Sequence, residues 1–382
     1  MKKRQALTAK LQRNSNIQAP KTSLRLLGAW SLMFLWMLAI GCWCFPARAA
    51  EFAFGADLSF LKQAEERGKI FKDGTNALPG LQIFKNHGYN WIRLRIFVEP
   101  VSNNLPNDLA YTLAAAQDAK KLGYKFLLDF HYANLWADPG KQPTPEAWKN
   151  LSHDERAEKV FEHTRDTIAA FRNANALPDM VQVGNEITVG MLWPDGKLPE
   201  HWDNFADYIR AGVKGVDAGR GTNPPPKILI HTDTGGNLAK TKWFFDKFTE
   251  YKIPYDVIGL SYYPRWHGSL MDLRENLAFV AKTYGHDLMV VETGYNWRPT
   301  RQSADRAWPF PETPAGQRDF LDELTRVVLQ TPEQRCKGIF WWEPATGGDG
   351  DARGFFDENG NSLPVLNVFD KYTRPARRTD GQ

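Results

Sequence analysis

The sequence predicts a single α/β domain, a (β/α)8 barrel with elaborated loops, and three observations carry that prediction. Eight strand-like apolar runs alternate with amphipathic stretches between Phe52 and Glu343, the order expected when parallel strands are joined by helical crossovers. Nothing between them reads as a linker, an internal repeat or a second compositional regime. Within the strands, charged residues share one face with each other and aliphatics take the opposite face, as happens when one face packs on helices and the other looks into a lumen. An open doubly wound sheet is the alternative. It requires a Gly-rich phosphate turn after the first strand, and Phe54–Asp57 lacks one.

Taken in order, the strands are expected at Phe52–Asp57, Trp91–Phe97, Lys125–His131, Met180–Glu186, Lys227–Asp233, Asp256–Tyr263, Asp287–Glu292 and Gly338–Glu343. Each is a short run rich in β-branched and aromatic residues. Helical periodicity fits Asp108–Leu122, Asp154–Asn173, Trp202–Val216, Trp243–Tyr251, Leu270–Tyr284 and Thr313–Leu329. In the second strand the aliphatics face one way and both arginines the other. Asp129 and His131 share a face in the third, and His231 and Asp233 in the fifth. The lumen is therefore expected to hold Arg93, Arg95, Asp129, His131, Glu186, His231, Asp233 and Glu292, more charge than packing explains.

The first fifty residues are of another kind. Eight basic residues and no acid precede or flank an apolar run, Leu26–Phe45, followed by Pro46–Ala50 with its small residues. This is the pattern of a signal peptide, expected to be cut near Ala49 or Ala50; an uncleaved anchor or lipidation at Cys42 are the alternatives. Removing residues 1–50 leaves 40 basic against 44 acidic residues in 51–382, so the overall basic character does not point to nucleic acid. Cys42 and Cys44 would leave with the leader, so only Cys336 remains and no internal disulfide can form. A secreted or periplasmic monomer, off the membrane once the leader is removed, is the expectation.

The fourth and seventh strands both end in glutamate, at Glu186 and Glu292. One such carboxylate reads better as an ion pair or a helix cap, but two suggest paired acid chemistry. Opposed carboxyl groups beside arginine, with aromatics at the rim, suit glycoside hydrolysis: one must keep a proton for the leaving oxygen while the other stays ionised to attack. Sugars stack on tryptophan, and Trp136, Trp193, Trp266, Trp297, Trp341 and Trp342 fall in presumed loops or strand ends, although each taken singly reads as well as a packed residue. His131, Asp129, His231 and Asp233 have no metal-ligand spacing, Gly347–Asp351 is only loosely like a calcium loop, and no Gly-x-Ser-x-Gly turn occurs. No cofactor is expected.

Leu128–Tyr132 followed by Trp136–Lys141, Val181–Glu186, Asp256–Pro264 with Trp266–Gly268, and Val290–Thr293 with Tyr295 together resemble glycoside hydrolase family 53. Its members are endo-β-1,4-galactanases acting on the galactan side chains of pectin. The likeness runs from Gly55 to Pro344 with the motifs in order. It implies Glu186 as general acid/base and Glu292 as nucleophile of a retaining mechanism, with carboxyl groups roughly 5–5.5 Å apart. It further implies Asn185 on the sugar 2-hydroxyl, Arg95 orienting the nucleophile with Tyr262 near it and Arg93 behind, and Trp342 under the cleaved sugar with His131. Trp136 and Trp266 are expected to bind the polysaccharide as well. Thr188, Val189, Gly294, Trp341 and the segment Asn296–Pro311 depart from the family's usual residues. The same machinery acting on β-1,4-glucan or mannan, or a non-catalytic carbohydrate-binding barrel, are the other functional readings.

Overall fold

The computed structural model describes residues 51–101, 104–300, 308–346 and 352–373. The leader expected over residues 1–50 and the acidic loop Gly347–Asp351 lie outside the described residues. Eight parallel strands close into a barrel: β1 Ala53–Asp57, β2 Trp91–Ile96, β3 Lys125–Phe130, β4 Met180–Val183, β5 Lys227–Thr232, β6 Val257–Tyr262, β7 Asp287–Thr293 and β8 Cys336–Trp341. Closure is made by β1, which pairs with both β2 (Gly55 opposite Trp91) and β8 (Ala53 opposite Gly338). Every strand expected from the sequence is present.

The connecting helices are α1 Gly80–Asn86, α2 Leu109–Lys121, α3 His153–Asn173, α4 Trp202–Arg220, α5 Leu238–Glu250, α6 Leu270–Thr283 and α7 Pro314–Leu329. Their starts are chemically marked. Asp108 accepts from the Tyr111 N–H, Asn237 from the Lys240 N–H and Thr313 from the Gly316 N–H. Ser152 with Glu155 and Ser269 with Asp272 close reciprocal capping boxes, each side chain satisfying an otherwise orphaned helix-end donor at about 1 kcal/mol. α1 was not anticipated, because seven residues are too few to establish a helical period.

Inside the barrel, Ala53, Trp91, Leu127, Met180, Leu229, Val257, Met289, Val291 and Phe340 form a buried apolar floor. Alternate strand residues such as Ile92, Leu128, Val181, Ile230, Ile258 and Ile339 pack outward in the larger core beneath the helices. The floor is tight: a Cβ at Gly55 would come within 2.3 Å of the Phe340 ring. Above it, at the carboxyl ends of the strands, the lumen turns polar. Among the described residues no helix is long and apolar enough to cross a membrane.

Candidate active site

Two local irregularities aim the two glutamates. β4 stops at Val183 rather than continuing to Glu186, because Gly184 takes φ +88° and Glu186 itself φ +47°. The left-handed corner is cheap for glycine and costly for glutamate. It turns Asn185 and Glu186 across the barrel mouth. In β7, Leu288 and Val290 face outward while Met289 and Val291 face the floor, so strict alternation would send Glu292 outward as well. A bulge prevents this: Leu260 pairs with Val290, but the next residue, Ser261, pairs with Glu292. The extra residue resets the parity, and Glu292 enters the lumen beside Ser261.

Arg93 ties the site to the floor. Its guanidinium reaches Asp57 and Asp129 at 2.8 Å each, Glu292 Oε1 at 2.7 Å, Asn185 Oδ1 at 2.8 Å and Gln182 Oε1 at 3.2 Å. The contact with Glu292 expected of Arg95 is thus made by Arg93. Arg95 instead donates to Asp57 at 2.9 Å and to Glu343, with Phe60 and Trp136 ring centroids 5.0 and 4.5 Å from its guanidinium carbon. Both arginines do face the lumen, as the alternation requires. Which carboxylate each one reaches depends on its height on the tilted strand and its rotamer, and neither is written in the periodicity. Burial alone would raise the Asp57 carboxyl, but Arg95, Arg93 and the Ser59 hydrogen bonds bring it down to about 2.

Ser261 Oγ lies between the glutamates, 2.7 Å from Glu186 Oε1 and 3.5 Å from Glu292 Oε2. His231 backs it at 2.9 Å through Nε2. A carboxylate oxygen of Glu186, one of Glu292 and a ring nitrogen of His231 all fall within 4.8 Å of one another. That spacing is short enough to converge on a cation, but the Ser261 hydroxyl already stands among the three. Burial first and the Glu292 charge second push the Glu186 carboxyl well above its ordinary range. Burial also raises Glu292, but Arg93 is the next largest influence and opposes it, so the proton of the pair belongs on Glu186.

The glutamates open into a cleft of about 610 Å³, which His131, Trp136, Asn185, Trp266 and Trp342 help to line. His131 donates through Nε2 to Asp129 (3.1 Å) and accepts at Nδ1 from the Ala137 N–H (3.1 Å). Asn185 gives Nδ2 to the Ala137 carbonyl at 2.8 Å. Trp136 and Trp342 meet with centroids 6.1 Å apart, and Arg353 stacks on Trp342 at 4.4 Å. Trp266 is 61% exposed at the rim. Tyr262 is not near Glu292: it points outward, stacks on Phe320 and donates to the Gly268 carbonyl at 3.0 Å. Its neighbour Tyr263, past the end of β6, places its hydroxyl 3.3 Å from Glu292 Oε2. Alternation through Val257, Gly259 and Ser261 would have shown that Tyr262 faces the helices. Ser261, Tyr263, Gln182, Asp57 and Arg353 were missed because uncharged or isolated residues carry little signal without a neighbour.

The geometry has a counterpart in known proteins. An uncharacterized Niallia circulans protein is 38% identical over 312 residues, covering 77% of this chain and 84% of its own length. The arabinogalactan endo-β-1,4-galactanase of Thermothelomyces thermophilus is 31% identical over 335 residues, covering 83% and 98%. The solved family 53 catalytic domain from Ignisphaera aggregans superposes with a TM-score of 0.77 at 32% identity, covering 85% of this chain and 97% of that one. The Glycosyl hydrolase family 53 model matches residues 53–370, almost the whole described barrel, and the chain belongs to that family.

Proposed function

We propose that the chain is an arabinogalactan endo-β-1,4-galactanase that cleaves β-1,4-galactan with retention of configuration, and that Glu186 and Glu292 carry the reaction. The observation that bears most weight is the approach of the two carboxyl groups, with one oxygen of each within 4.8 Å. That suits direct attack on the anomeric carbon and leaves too little room for an intervening water. In this reading Glu292, held by Arg93 and Tyr263, attacks the anomeric carbon while Glu186 gives its proton to the departing glycosidic oxygen. A water, deprotonated by Glu186, then releases the sugar from Glu292. Asn185 and His131 hold hydroxyls of the sugar whose bond is cut, and Trp342, Trp136 and Trp266 offer stacking faces along the cleft.

The test is to incubate purified protein with galactan, size the products and follow the anomeric configuration by proton NMR. Glu292→Ala should lower release of galacto-oligosaccharides at least 10⁴-fold. Near-normal turnover by that variant, or an initial product of inverted configuration, would refute the assignment. A panel including β-1,4-glucan and mannan checks the sugar. Residues 1–50 are proposed to be an export signal, giving a secreted or periplasmic monomer. N-terminal sequencing of the exported protein should begin at or next to Glu51, and an intact Met1 on the mature product would contradict this.

A further inference from the structure

Ser261 is fully buried on the lumen side of β6 and is not a residue type that glycosidic cleavage itself requires. Its Oγ nonetheless meets Glu186 at 2.7 Å, Glu292 at 3.5 Å and His231 Nε2 at 2.9 Å. A hydroxyl owns one proton and two lone pairs, so few proton arrangements satisfy all three contacts. His231 settles one of them. Its Nδ1 faces two donors, the Gln182 amide nitrogen at 3.0 Å and the Glu186 backbone N–H at 3.3 Å; Asn185 Oδ1, 3.1 Å away, already accepts from Arg93 and Gln182 and needs no proton from the ring. Burial, then Arg93, keeps the imidazole neutral by lowering it well below its ordinary range. The ring proton therefore sits on Nε2 and is donated to Ser261. One lone pair and one proton remain, to be shared by two carboxyl groups.

We propose that Ser261 is a positioning residue that selects the singly protonated state of the glutamate pair and reverses its donation during turnover. This rests on the retaining reading above. Before reaction, Oγ accepts from the protonated Glu186 and gives its own proton to the ionised Glu292. As Glu292 bonds to the anomeric carbon and the glycosidic C–O bond breaks, the Glu186 proton passes to the leaving oxygen. Glu292 is then a neutral ester and Glu186 a carboxylate, so the Ser261 O–H turns to Glu186. When water adds and the ester bond breaks, Glu186 regains a proton and the hydroxyl turns back. With both carboxyl groups ionised one of the two contacts is lost, and with both protonated the Ser261 O–H meets a neutral, weaker acceptor in place of a carboxylate, so the serine widens the pH range of the active form at both ends.

Other groups facing the pair are Arg93 and Arg95 on β2, Asp57 on β1, Asp129 and His131 of the β3 end with Asp138 beyond it, Asp233 after β5, Lys240 on α5, Tyr263 and His267 after β6, and Arg353 after β8. They are common to wild type and variants, so a difference between them reports the hydroxyl. The experiment is the pH profile of kcat/KM on galactan for wild type, Ser261→Ala and Ser261→Cys, the last securing the comparison should the alanine variant fold poorly. Both limbs of the bell should move inward by roughly half to one pH unit in Ser261→Ala, with about a tenfold fall at the optimum. Ser261→Cys, a weaker donor, should fall between. Limbs that stay in place whatever the height, or movement of one limb alone, would overturn the proposal. A wild type inert towards galactan would refute the galactanase reading instead.

Discussion

Arg93 holds oxygens of Asp57, Asp129, Gln182, Asn185 and Glu292 at once, and that load makes it the most sensitive basic residue of the site. Lysine cannot reproduce a planar fork of donors, so Arg93→Lys should lower kcat/KM on galactan by about 10²–10³-fold. Arg95→Lys should act mainly on KM, because Arg95 supports Trp136 and pairs with Asp57 and Glu343, whereas the ion pair with Glu292 is made by Arg93. Equal losses of kcat in the two variants would show that the division of labour is wrong. The adjacent tyrosines offer a sharper contrast. Tyr263→Phe removes a donor to Glu292 and should cost about ten- to a hundredfold in kcat. Tyr262→Phe removes the bond to Gly268 and should cost about 1 kcal/mol of stability with activity intact. Steady-state kinetics and urea melts of both variants decide it.

At the scale of elements, the site depends on how β4 and β7 depart from regular strands. Gly184→Ala places a Cβ 2.6 Å from Ile187 Cγ2 at a φ of +88°, so a strained backbone and a clash coincide. Roughly 1–3 kcal/mol of stability should be lost, and the Asn185–Glu186 corner should shift enough to lower kcat more than tenfold. A variant with wild-type melting and wild-type turnover would show the corner to be tolerant. The strands and most helices were legible in the sequence because apolar alternation and caps such as Asp108 and Ser152 are local signals. The β7 bulge was not legible. That Glu292 turns inward directly after the inward Val291 depends on the pairing of Ser261 with its neighbour, and no single strand records that. Reading Tyr262 for Tyr263 is an error of another kind, since alternation within β6 already turns Tyr262 towards the helices.

For the whole molecule, buried carboxyl groups set opposing pH trends. Asp57 is lowered from 3.8 to about 2, so its contribution, roughly 2 kcal/mol, is present above pH 4 and lost as pH falls through the range between those values. Glu186, Glu292 and Glu343 are raised, all chiefly by burial. For such acids the folded chain binds more protons than the unfolded one, so stability falls as pH rises above 4.5 towards their folded values. Glu343→Gln keeps the shape and removes one of these protons. Its unfolding midpoint should therefore drop less between pH 5 and pH 9 than that of wild type, measured by denaturant titration. An unchanged slope would mean that Glu343 is ionised throughout.

By itself the sequence determined the barrel, the strand that carries each charge, and the two glutamates, because periodicity and residue type along one strand are local properties. Only the tertiary structure decided which arginine grips Glu292, that the Tyr263 hydroxyl reaches it, and that Ser261 stands between the two carboxyl groups. Those are relations between strands far apart in the chain. Barrel closure, a left-handed corner and a bulge bring them together, and their geometry is set by packing rather than by any run of residues read alone.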